Sequence, residues 1–105
     1  MKGTEKQIAW AEDIKAAIIE GIDFTLAALE QERNNPKYAH LVDSRIDQIR
    51  NQRAALISCD TAYDIIDCFS GVSNCRTPLD KASAFASACR VIAGNNPTQR
   101  KLLGQ

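Results

Sequence analysis

Of the side chains able to do chemistry, the four cysteines Cys59, Cys68, Cys75 and Cys89 come first. Structural zinc is held by thiolates paired roughly two to four residues apart, so that one tight turn presents both. Here the closest pair, Cys68 and Cys75, is seven positions apart, so no metal is expected. Disulfides are unexpected as well, since the chain reads as cytoplasmic on the grounds given below. The spacing leaves Cys59, Cys68 and Cys89 as small buried apolar groups, and Cys75, in a loop beside Arg76, as the exposed one. No histidine lies near Cys75 to act as its base, so a nucleophilic thiol is not expected. The single histidine, His40, lacks a local carboxylate to orient it and a nucleophile to serve, which makes it a surface or capping residue. The acids Glu12, Asp13, Glu20, Asp23, Glu30 and Glu32 recur around the polar side of an amphipathic pattern and read as a solvated face.

The polar set that suits binding is Arg45, Arg50 and Arg53, with Gln48, Asn51 and Gln52 between them and Tyr38 one to two turns upstream. Guanidinium groups grip phosphates or carboxylates with paired N–H donors, and a tyrosine ring adds a stacking plane. These four residues, Tyr38, Arg45, Arg50 and Arg53, are the candidate ligand- or partner-binding residues. Asp47, three residues before Arg50, and an acidic neighbouring helix offer the competing fate of internal neutralisation. Catalytic and cofactor motifs are absent from the sequence, so a non-enzyme with no cofactor is expected.

Thirteen basic and thirteen acidic residues cancel, so no overall field draws the molecule to nucleic acid or anionic lipid. Nucleic acid is the disfavoured partner, and a nucleotide comes only as the alternative ligand of the arginine set. No apolar run exceeds the length of Ala16-Ala17-Ile18-Ile19, far below the roughly 20 residues that span a bilayer. The opening residues lack the apolar core of a secretory signal. A cytoplasmic protein with no membrane partner is the expectation.

The elements that position these groups read as helices throughout. With 105 residues, 45% of them hydrophobic and 25% charged, the chain supports one all-α domain over 1–105. Thr4 and Gln7 form a capping box, and Ile8, Ala11, Ile14, Ile18, Ile22, Thr25, Leu26 and Leu29 then recur at helical spacing, with Trp10, Ala17 and Phe24 widening the stripe. Asn34-Asn35-Pro36 stops a helix of about 28 residues, about 42 Å long. Gly21 inside it costs about 1 kcal/mol relative to alanine, which calls for a close neighbour or a bend. A second helix is predicted over 36–58 from Tyr38, Val42, Ile46, Ile49 and Leu56, folding back as an antiparallel hairpin. Charge agrees, because Thr4 to Glu32 carries seven acids against Lys6 and Lys15, and Arg33 to Arg53 five bases against Asp43 and Asp47. Two or three shorter helices follow: 60–69 with Asp60 as N-cap, 78–93 with Thr77 and Pro78 opening it, and a last turn through Leu103 capped at Asn96-Pro97. The small side chains from Lys81 to Cys89 allow a helix to approach closely, either the hairpin or a second copy of the chain, so a homodimer is one expected assembly.

The segment Gly3-Thr4-Glu5-Lys6-Gln7-Ile8-Ala9-Trp10-Ala11-Glu12-Asp13-Ile14 resembles a helix entry found in small uncharacterised phage and prophage proteins, with Ser/Thr, Lys-Gln-Ile, an aromatic, Ala-Glu and a further Ile in that order. The likeness covers about a dozen residues, carries a capping box and an apolar anchor, and transfers no active site. It implies a phage-type accessory protein that acts by binding a macromolecular partner, such as an inhibitor of a host defence system in the style of anti-CRISPR proteins. The alternatives are a module that sequesters a signalling nucleotide and a structural helical homo-oligomer.

Overall fold

The computed structural model describes residues 1–95, with side chains through Arg90. Helices α1 (Glu5–Glu32), α2 (Ala39–Ser58), α3 (Ala62–Phe69) and α4 (Pro78–Asn95) follow one another, with a 3₁₀ turn at Ser70–Asn74. The all-α architecture is the one expected; the last turn predicted through Leu103 lies outside the described residues.

Helix α1 starts on the capping box, with the Gln7 N–H donating to Thr4 Oγ1 at 3.2 Å and the Thr4 N–H to Gln7 Oε1 at 3.0 Å. Its buried face is Ala11, Ile14, Lys15, Ile18, Gly21 and Ile22, one stripe at steps of three and four, with Ala17 beside it. Trp10 and Phe24, expected to widen the stripe, are instead 48% and 41% exposed. The reason is that α2, α3 and α4 all pack on the narrow stripe, leaving the flanks at Trp10 and Phe24 to solvent.

Helix α2 begins three residues later than the Pro36 start predicted. The Asn35 side chain accepts the Lys37 N–H at 3.1 Å and its carbonyl accepts the Tyr38 N–H at 3.1 Å, so Pro36 to Tyr38 close a turn. The helix then runs antiparallel to α1, as expected. Arg33 pairs with Asp43 at 2.8 Å, Asp23 with Arg53 at 3.6 Å, and Lys15 Nζ donates to the Cys59 carbonyl at 2.5 Å and the Ile57 carbonyl at 3.4 Å. Lys15 is only 9% exposed, and its ammonium occupies the negative end of α2, where helix carbonyls lack partners.

Helix α3 starts at Ala62 rather than Asp60, because residue 60 is taken by the N-terminus. The Lys2 N–H donates to the Asp60 carbonyl at 2.5 Å and the Ala62 N–H to the Lys2 carbonyl at 2.9 Å, a parallel bridge that keeps Thr61 extended. Ile65 and Phe69 enter the core, and the segment after them tightens into the 3₁₀ turn, which buries Val72. Thr77 caps α4 by accepting the Asp80 N–H at 3.1 Å, and α4 continues to Asn95 rather than stopping at Ala93. Its small-residue face meets α1. A Cβ placed on Gly21 would fall 2.7 Å from the Ala82 nitrogen and 2.8 Å from the Lys81 carbonyl carbon, so Gly21 permits backbone-to-backbone contact. Lys81 then pairs with Glu20 at 2.5 Å, and Phe85 meets Phe69 with ring centroids 5.5 Å apart. One apolar core joins all four helices.

Candidate functional site

Helices α2 and α4 both pack on α1 but hardly on each other, and the space between them is a cleft of about 330 Å³, at the small end of ordinary ligand pockets. Gly21, Ile22 and Thr25 form its floor. One wall is Arg45, Gln48, Ile49 and Gln52, a single face of α2; the other is Ala82, Phe85, Ala86, Cys89 and Arg90, a single face of α4. Two observations orient it. Ala82 and Lys81 sit at Gly21 and Glu20, whereas Cys89 is close enough to Arg45 for the guanidinium to act on its thiol. Arg45 belongs to the end of the hairpin near Arg33 and Asp43, so α4 runs along α1 in the same sense and brings Arg90 to the end where Arg45 stands.

That end is electropositive. Arg45 Nη1 donates to Gln48 Oε1 at 2.8 Å and Arg90 Nε to the Ala86 carbonyl at 3.5 Å, both neutral acceptors. No carboxylate lies within 4.0 Å of either guanidinium among the described residues, unlike Arg33 and Arg53. The middle is apolar, with Ile22, Ile49 and Phe85 buried. Thr25, also in the lining, turns its hydroxyl back to the Gly21 carbonyl at 3.0 Å. Gln52, 7% exposed, makes no side-chain hydrogen bond within the described residues. Neither of its amide atoms is sealed from solvent, so the carboxamide opens onto the cleft that it lines. Burial pushes the Cys89 thiol up to about 12, against a smaller lowering by Arg45, so the cleft holds a neutral thiol at physiological pH.

Of the four residues singled out from the sequence, the fold brings only Arg45 into this cleft. Arg53 turns to the α1 side of the hairpin and pairs with Asp23 at 3.6 Å, the internal neutralisation that the acidic first helix foreshadowed. Arg50 is exposed on the far side of α2. Tyr38 precedes α2, half in solvent, with Lys37 Nζ 5.6 Å from its ring centroid. Gln48 and Gln52, which the sequence places in the same polar set but not among the four candidates, do line the cleft, and Arg90 carries no sequence signal of its own. Arg90 shares a face with Ala82 and Ala86, but only the parallel run of α4 along α1 gives that face a destination.

The four thiols are free. Cys59, Cys68 and Cys89, expected to be buried, are only partly so, because they pack on the edge of the core rather than within it, and Cys68 is pushed up to about 11 by burial, with Asp67, Asp64 and Cys59 adding to it. Cys75 is half-buried rather than the exposed thiol expected, because the 3₁₀ turn folds it back until Sγ lies 3.7 Å from the Gly71 carbonyl. Among the described residues no three His, Cys, Asp or Glu side chains gather as a metal site would need, and no helix is long and apolar enough to cross a membrane. A second, more open depression of about 390 Å³ holds Trp10, Asp13, Glu20, Ser73 and Lys81, but its Lys81 is already paired with Glu20. No family model, no curated protein and no solved structure matches this chain.

Proposed function

We propose that this chain is a non-enzymatic binding protein and that its binding element is the cleft between α1, α2 and α4, which takes a small organic anion with an apolar body. The observation that carries the proposal is the pair Arg45 and Arg90 at one end of a concave, apolar-floored site, with no carboxylate among the described residues neutralising either. A guanidinium held by neutral acceptors keeps its charge and its outward N–H donors for a ligand. The neutral thiol of Cys89 supports binding over covalent chemistry. The small-ligand alternative expected from the sequence therefore fits the geometry better than the macromolecular one, with Arg90 taking the place given to Arg50 and Arg53. The test is a thermal-shift screen of the whole chain against nucleotides and aromatic phosphates and carboxylates. A ligand at 100 times its dissociation constant adds about 2.7 kcal/mol, about 10 °C or more for a domain of this size. A flat response across the panel would remove the proposal.

A second reading keeps the macromolecular partner: a phage-type accessory protein that inhibits a host defence protein by covering it, or that pairs with a second copy of itself. What favours it is the set of large apolar side chains left in solvent, Trp10, Phe24, Leu41, Tyr63 and Leu79. Light scattering of the purified chain and a pull-down from host lysate with a Trp10→Glu control separate these forms. A monomer that retains the same proteins with and without Trp10 counts against both.

A further inference from the structure

The cleft has a second polar feature, at the end away from the arginines. Gln52 is more than nine-tenths buried, carries a donor and an acceptor side by side, and spends neither on any of the described residues. Both amide atoms reach the cleft, so the carboxamide takes its hydrogen-bond partners from whatever fills that space. On α2 it stands seven residues, two turns, from Arg45, a rise of about 10 Å. Between them lie the apolar side chains of Ile22, Ile49 and Phe85. Read from one end to the other, the cleft offers a paired donor and acceptor, an apolar stretch, and two cations.

Resting on the cleft being the binding element, we propose that its ligand is a nucleoside monophosphate or a close analogue of one. The Gln52 carboxamide meets the pairing edge of the base, the ring lies on the apolar stretch at Ile22, Ile49 and Phe85, and Arg45 and Arg90 hold the phosphate. A carboxamide pairs with a base through two hydrogen bonds in one plane, which selects among base types. Bidentate guanidinium contacts suit a phosphate dianion in the same way. An anion without a pairing edge would leave the buried carboxamide unsatisfied and would bind less well.

The experiment is calorimetric titration of the whole chain with four probes: the nucleoside 5′-monophosphates, the matching nucleosides, ribose 5-phosphate, and naphthyl phosphate, which keeps the flat ring and the anion but has no pairing edge. One monophosphate should bind about 10-fold or more tighter than each of the other three classes. Gln52→Met, close to it in volume, should erase the preference among bases and leave naphthyl phosphate unchanged. Gln52→Glu, which keeps the shape and removes the donor, should shift the preference to a different base. If naphthyl phosphate binds as tightly as every monophosphate, the nucleotide assignment is overturned while the anion cleft stands. If no probe binds, both fall. The comparison of probes on the unaltered chain decides the matter even if a variant does not fold.

Discussion

Gly21→Ala tests how α1 and α4 are held together, and its sign separates tertiary packing from helix propensity. Alanine in place of glycine within a helix gains about 1 kcal/mol, so an isolated α1 peptide should become more helical. In the protein the added methyl would stand 2.7 Å from the Ala82 nitrogen and 2.8 Å from the Lys81 carbonyl carbon, and ordinary contact begins at 3.4 Å. Both obstacles are backbone, so no side chain can rotate away and α4 must retreat as a unit. Its retreat stretches the Glu20–Lys81 pair and loosens Phe85 from Phe69. Overpacking of this kind costs typically about 1–3 kcal/mol, and the upper part applies where backbone must move. Set against the propensity gain, the net loss is about 1–2 kcal/mol. At about 4–8 °C per kcal/mol for a domain of this size, Tm should fall on the order of 10 °C in a circular-dichroism melt. A Tm equal to or above that of the unaltered chain would refute the close approach of the two helices.

Lys15→Met should cost about 1–3 kcal/mol in urea unfolding, because the Ile57 and Cys59 carbonyls at the end of α2 lose a charged donor in a nearly buried site; an unchanged midpoint would mean that water caps α2 equally well. Gly3→Ala should destabilise by about 1–2 kcal/mol, since Gly3 has φ +146° and a Cβ there would lie 3.0 Å from Ala62 Cβ. The same change should speed hydrogen exchange at the Ala62 N–H, which the Lys2 carbonyl accepts. Burial raises the Cys89 and Cys68 thiols from 9.0 to about 12 and about 11. A raised folded-state value favours the protonated form, so their contribution is complete below pH 9 and is lost as pH climbs from there towards 12. Replacing Cys89 with alanine should flatten part of that alkaline decline, and both thiols should react with maleimide at pH 8 more than 10-fold slower than in the unfolded chain. Equal reaction rates would show that these side chains are not shielded.

The elements that announce themselves through local chemistry are the ones the sequence makes plain. Thr4 with Gln7, and Thr77 with Pro78, form caps from neighbouring residues alone, and both helices start where those residues say. The stops and starts that depend on distant partners are less legible. Helix α3 yields Asp60 to Lys2, nearly sixty residues away, and α2 gives up its first turn to the Asn35 side chain. Gly21 signals a close neighbour, but only the fold identifies it as Ala82. The same division runs through the candidate site. Arg45 is visible as part of a basic run, yet its neighbours Arg50 and Arg53 point to other faces of α2, and one of them is neutralised by Asp23. Arg90 and Gln52 acquire meaning only once α4 is laid alongside α1 and leaves a gap beside α2.

The central claim is that Arg45 and Arg90 hold an anion together, and the most direct measurement is titration of the chain and of Arg45→Gln and Arg90→Gln with the best anion from the thermal screen. Each guanidinium donates charge-assisted hydrogen bonds worth about 1.5–3 kcal/mol, so each change should weaken binding by about 10- to 100-fold and leave Tm of the free protein within about 2 °C. Arg50→Gln, on the far side of α2, should leave affinity unchanged. Affinity that survives both cleft changes, or that falls equally with Arg50→Gln, would contradict the account.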